Sequence, residues 1–185
     1  MTSICGVLQA CSGRDFASLR DTAIILLFID TGLRVSELAG LTVGEINLVA
    51  KQFQVRGKGG KVRLVGFGNA AGLALAKYLR ARAKREVDSP ALWLSSRRPG
   101  PLGTDGIKHM LNRRGKQARI SGSLHAHRFR HDFSHRWQQA GGSEHGLMLI
   151  AGWSSTKMVR HYGKQAAAQR ALAEQARIGI ADRIA

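Results

Sequence analysis

Residues 123–137 read SLHAHRFRHDFSHRW, four histidines and three arginines in fifteen positions. His127, His131 and His135 recur every four residues, the spacing of one helix face. Two chemistries use such a face. A metal site needs three or four converging ligands, and no cysteine or second His/Glu cluster lies near this stripe to complete one. A phosphate-binding cleft needs cations aimed at one anion, and His127 and Arg130, three apart, meet that need. A solvated basic face is the plain alternative. No metal is expected.

Further candidates stand along the chain. TGLRVSELAGL (31–41) sets Arg34 just before a short helix, with Glu37 one turn on. GKGGKVR (57–63) puts Lys58 at a glycine-rich tip, with Lys61 a possible substitute. IAGWSSTKMVRHYGK (150–164) holds Trp153 and Tyr162, nine residues apart. Permanently charged, forked guanidinium groups bind phosphate oxygens in pairs. Arg34 and Arg130 could therefore clamp a phosphodiester without a metal. A tyrosine phenol, with a pKa of about 10, can attack phosphorus if a base or a strong positive field activates it. The only other tyrosine, Tyr78, sits in LALAKYLRAR, where packing is expected.

This ordered set resembles the catalytic domain of the tyrosine recombinases, the phage integrase family, over roughly residues 8–180. The family pattern is an arginine in TGLR..E, a hairpin lysine, His-x-x-Arg, a His or Trp after glycine, and a tyrosine nine residues later. The resemblance implies a site-specific DNA recombinase or integrase that cuts through a 3′-phosphotyrosine intermediate and uses no cofactor. It implies Tyr162 as nucleophile, Arg34 and Arg130 as the phosphate clamp, and Lys58 as general acid. His127 shares a proton or binds a phosphate oxygen. Trp153 stands where the family usually has His; its indole N–H can donate but not shuttle a proton. Glu37 and His131 are supporting residues, and His125 and His135 are left at the surface. Gly66 replaces a proline common in the family. A type IB topoisomerase-like relaxing activity and an inactive DNA-binding remnant are the alternatives.

Composition agrees. There are 29 Lys+Arg against 12 Asp+Glu, a net charge of +17. A compact domain with that surplus repels itself, and a polyanionic partner is the usual reason to keep it. Double-stranded DNA is the expected partner, bound by a homo-oligomer that the resemblance makes a tetrameric synapse. AIILLFI (23–29) is too short to span a bilayer. No membrane association is expected, and a cytoplasmic location is. Cys5 and Cys11 lack zinc-knuckle spacing, and no disulfide is expected.

The elements that must carry these residues follow from periodicity. Helices are expected from about Asp15 to residue 30, over 34–41, from Asn69 to Glu86, and over 103–119, 127–140, 144–151 and 154–162. The tail is expected to be helical to about Arg177. On the 127–140 helix, Phe129, Phe133, Trp137 and Ala140 form the expected apolar stripe, with Arg130 at its margin. FQVR (53–56) and KVRLVGF (61–67) alternate around GKGG, a hairpin signal. A short strand is expected at Leu92–Leu94. The fold class is α+β, mainly α, with one small antiparallel hairpin or sheet. Residues 1–185 are read as one catalytic domain. Its tail, 163–185, is exchanged between protomers in the family. The family's N-terminal DNA-binding domain is expected to be absent, because about a dozen residues precede the first catalytic helix.

Overall fold

The computed structural model describes residues 2–57, 60–155, 171–172 and 174–179. It comprises two compact units, residues 1–133 and 134–185.

In the first unit, α1 (Thr2–Gln9) precedes α2 (Phe16–Thr31). No element is expected before Asp15 from the sequence. α1 is short, and it is held through packing on a later helix, with Val7 fully buried. Asp15 caps α2 by accepting from the Ser18 N–H, as Ser/Asp caps do for orphan donors. Ala23, Ile24, Ile25, Leu27 and Phe28 of α2 are fully buried. These five fill all but one of the positions 23–28, so α2 is covered on most sides rather than amphipathic.

α3 (Val35–Ala39) leads through a 3-10 turn (Val43–Glu45) into β1 (Ile46–Asn47), β2 (Gln52–Arg56) and β3 (Val62–Gly66). These form a three-stranded antiparallel sheet in the order β1-β2-β3. The expected hairpin is present, with Phe53 opposite Val65 and Val55 opposite Arg63. β1 was invisible to periodicity because it is two residues long. α4 (Asn69–Ala83) packs along α2. It ends earlier than Glu86. Beyond it the chain turns back, and Arg82 donates to the carbonyls of Ser89, Ala91 and Leu92.

Leu92–Leu94 is not a strand. It carries only isolated bridges on either side, Thr42 to Ala91 and Leu94 to Pro101. Tertiary hydrogen bonds hold the segment instead: Trp93 Nε1 donates to the Leu38 carbonyl at 2.8 Å. Tyr78 donates its hydroxyl proton to Leu92 O (2.9 Å) and accepts from Leu94 N (3.0 Å). With its ring fully buried, Tyr78 is a packing residue, as its helix context suggested.

α5 (Thr104–Gln117) is tied to α2 by a buried charge cluster. Asp21, fully buried, accepts from Arg20, Arg113 and Arg114. A buried carboxylate is tolerable only when paired in this way. α6 (Ala126–Gln139) then places Phe129 on Phe28, ring centroids 5.6 Å apart.

In the second unit, α7 (Glu144–Ala151) starts at Ser143, whose hydroxyl accepts from the Gly146 N–H. It ends at Gly152, in the left-handed conformation (φ 64°) that favours glycine. The chain turns there, Trp153 N donates to Met148 O at 2.9 Å, and Trp153 is buried. Residues 171–172 and 174–178 are helical. The mainly helical class with a small antiparallel sheet is as expected. Among the described residues, no helix is long and apolar enough to cross a membrane.

Candidate active site

The TGLR segment shows why each of its residues is there. Thr31 is buried and donates its hydroxyl to Leu27 O at 2.5 Å, closing α2. Gly32 follows with φ 56°, and its N–H bonds Phe28 O. A side chain here would be strained by that φ. It would also strike Phe133, whose Cδ1 lies 2.6 Å from where a Cβ would stand. Leu33 is buried. Arg34, in extended conformation, is the N-cap of α3, and its side chain remains 45% exposed.

Glu37 is the joint of this corner. Its side chain is only 5% exposed. It accepts from the Arg34 N–H (3.0 Å) and from Arg34 Nη1 (2.9 Å). It also accepts both Nη atoms of Arg63, each at 3.1 Å. Burial by itself would raise the Glu37 pKa. The hydrogen bonds from Arg63 and the Arg34 backbone, with the charges of both arginines, outweigh it and hold the carboxyl below its ordinary value.

Arg130 reaches the same corner from α6. Its Nη1 donates to the Gly32 carbonyl at 2.8 Å across a separation of 98 residues. It is buried, 5% exposed, and so not at the helix margin. The stripe expected from periodicity is corrected accordingly. Ala140 is exposed and Trp137 half-buried, whereas Arg130, Ser134 and Gln138 are buried, as are Phe129 and Phe133. A carbonyl placed by another helix makes burial of Arg130 affordable, and periodicity cannot count such a partner. His127 and His131 lie on the exposed face of α6.

An open pocket of about 440 Å³ is lined by Arg34, Ser36, Glu37, Arg56 and Gly57. The β2–β3 turn therefore borders the Arg34 corner. Gly57 N bonds Lys61 O at 2.8 Å and closes that turn. Lys58 and Tyr162 lie outside the described residues, as does most of the expected 154–162 helix. Arg34, Glu37 and Arg130 are thus brought to one corner. Trp153, in the second unit, is placed at the α7 terminus. Among the described residues no group of three His, Cys, Asp or Glu could hold a metal ion.

Sequence reasoning missed Arg63. A signal existed: Arg63 is in phase with Val65 on the inward face of β3. A cation on the inward phase of a strand calls for an anion opposite, and Glu37 is that anion.

The chain is similar to known proteins over most of its length. A model of the phage integrase family matches residues 4–169. Among curated relatives, the tyrosine recombinase XerC of Actinobacillus pleuropneumoniae is 30% identical over 157 residues, 85% of this chain and 51% of that protein. Tyrosine recombinase XerD of Corynebacterium glutamicum is 33% identical over 146 residues, 78% and 48%. The chain spans about half the length of the curated relatives it matches. Among solved structures, XerA recombinase superposes with a TM-score of 0.79 at 28% identity, covering 86% of this chain and 57% of that one. XerH bound to palindromic difH substrate in a post-cleavage complex has the same fold, with a TM-score of 0.76 at 19% identity, covering 94% and 51%.

Proposed function

The chain belongs to the phage integrase family, and from that membership we propose that it is the catalytic part of a site-specific DNA recombinase. The observation that carries this reading is the joint anchoring of two arginines. Arg130 is held on the Gly32 carbonyl, and Arg34 follows two residues later with its side chain open to solvent. Two forked cations drawn from distant segments to one corner suit a phosphodiester. Solved relatives include XerH with its difH substrate and the Tn1549 integrase with circular intermediate DNA.

The reaction proposed is phosphoryl transfer. The Tyr162 oxygen attacks phosphorus, and Arg34 and Arg130 spread the charge that develops on the non-bridging oxygens. The tyrosine is joined to the 3′ phosphate, and the 5′ oxygen leaves with a proton from Lys58. A second 5′ hydroxyl then reverses the sequence on a new partner strand. The covalent link preserves the bond energy, so rejoining needs no ATP, and the two arginines take the place of a metal. His127 shares the proton that Tyr162 gives up as it attacks, or hydrogen-bonds a phosphate oxygen; Trp153 supplies a phosphate contact and packing, and Glu37 and His131 support. The +17 net charge suits association through phosphate contacts that weaken as salt rises. Assembly as a tetrameric synapse on DNA, with the 163–185 tail exchanged, and a cytoplasmic location complete the proposal.

The test is a duplex nicked beside the scissile phosphate, which traps the covalent state. A protein–DNA adduct on a denaturing gel supports the reading. Tyr162→Phe should abolish it with nearly unchanged affinity, since one hydroxyl adds little to a phosphate-dominated interface. Adduct mapping to another residue would overturn the assignment. A native shift with no adduct would favour the inactive remnant, and relaxation without strand exchange the topoisomerase-like alternative.

A further inference from the structure

We infer that Arg63 is a positioning residue for the cleavage step, acting through Glu37 to keep the charge and the donors of Arg34 available to phosphate. The inference rests on the function proposed above.

Glu37 is a buried carboxylate with two oxygens and two arginines competing for them. Arg63 takes both oxygens with both Nη atoms, at 3.1 Å each, a bidentate pairing of fork and carboxylate. Arg34 spends one side-chain donor on the pair, Nη1 at 2.9 Å. The side-chain exposures fit this division, with Arg63 at 15% and Arg34 at 45%. Arg63 is the inner partner, and Arg34 faces the open pocket.

Removing Arg63 has two consequences. The trio of Arg34, Glu37 and Arg63 carries one net positive charge, and without Arg63 it carries none. A buried carboxylate stripped of its bidentate partner must also find another. Arg34, the other arginine bonded to Glu37, would turn its fork inward and leave the phosphate side. Arg63 also sits on β3, so the Glu37 pairing fixes the β2–β3 hairpin to the N-terminus of α3.

The experiment compares Arg63→Gln, Arg63→Lys, Glu37→Gln and the double change Arg63→Gln with Glu37→Gln. Two quantities are read. One is the cleavage rate of bound nicked duplex. The other is inorganic phosphate affinity, followed by NMR at the Arg34 Nε–Hε group. Arg63→Gln should slow cleavage roughly 10- to 10²-fold, below the 10²–10³ typical for direct loss of a transition-state donor. Phosphate affinity should fall alongside, and Arg63→Lys, which keeps charge but not the fork, should lie between. The double change should recover most of both losses, because it removes the carboxylate that captures Arg34. In an Arg34→Ala background, Arg63→Gln should add less than about a twofold rate effect, as expected for residues acting as a unit.

A double variant no better than Arg63→Gln, or an equal Arg63→Gln defect with and without Arg34, would overturn the inference. So would a thermal transition lost in step with activity across all variants, which would mark Arg63 as a folding residue only. If the unaltered chain forms no adduct, the proposed function falls, but the phosphate titration still decides the role of Arg63.

Discussion

Replacing Gly32 by alanine tests the corner on which both arginines depend. Two costs can be worked from the structure. With φ 56° and ψ 27°, an L-residue pays about 1–2 kcal/mol for left-handed backbone. The new Cβ would also stand 2.6 Å from Phe133 Cδ1 and 2.9 Å from its Cγ. Phe133 is 7% exposed and has little room to retreat, and overpacking of this kind costs about 1–3 kcal/mol. The expected loss is therefore about 2–5 kcal/mol. At about 2–4 °C per kcal/mol for a chain of this size, the melting temperature should fall on the order of 10 °C. Scanning calorimetry measures it. A double-mutant cycle with Phe133→Ala then isolates the clash. The double variant should be more stable than the two single losses predict by about 1–3 kcal/mol, while the backbone cost persists. Additive losses, or a Gly32→Ala shift within about 2 °C, would refute the reasoning.

Other outcomes follow from the same structure and from the proposed chemistry. Lys58→Ala should slow cleavage roughly 10²–10⁴-fold, and a substrate with sulfur in place of the leaving 5′ oxygen should restore most of the rate; an equal defect on both substrates makes Lys58 a binding residue. Glu37 is held below its ordinary pKa, so it contributes stability present above the unfolded carboxylate value and lost as pH falls through the lowered folded value. Urea titrations across that acid range should show a shallower decline for Glu37→Gln than for the unaltered chain, and identical slopes would contradict the pairing. Deleting residues 166–185 should spare single-site cleavage and reduce paired-site complexes, with a collapsed thermal transition indicating instead that the tail packs on its own domain.

Much of the site was legible because its chemistry imposes local rules. The left-handed turn of TGLR demands glycine, Glu37 sits one helical turn after Arg34, and Gly152 must end α7 before Trp153. The hairpin showed itself through alternation, and the long helices through their apolar content. Each of these depends on neighbours within a few residues, where sequence order and spatial order agree. Partners far apart in the chain decided the rest. Arg130 looks like a marginal surface residue until the Gly32 carbonyl, 98 residues away, meets it. Arg63 looks like one basic residue among 29 until Glu37 accepts both its donors. Asp21 looks like an ordinary helix carboxylate until α5 brings Arg113 and Arg114 to it. β1 has too few residues for a period, and exists because Phe53 and Gln52 offer it a ladder. Burying a charge or pairing two residues of backbone is unfavourable alone. Only the fold, by supplying the opposite group at hydrogen-bond distance, reverses the sign of that free energy.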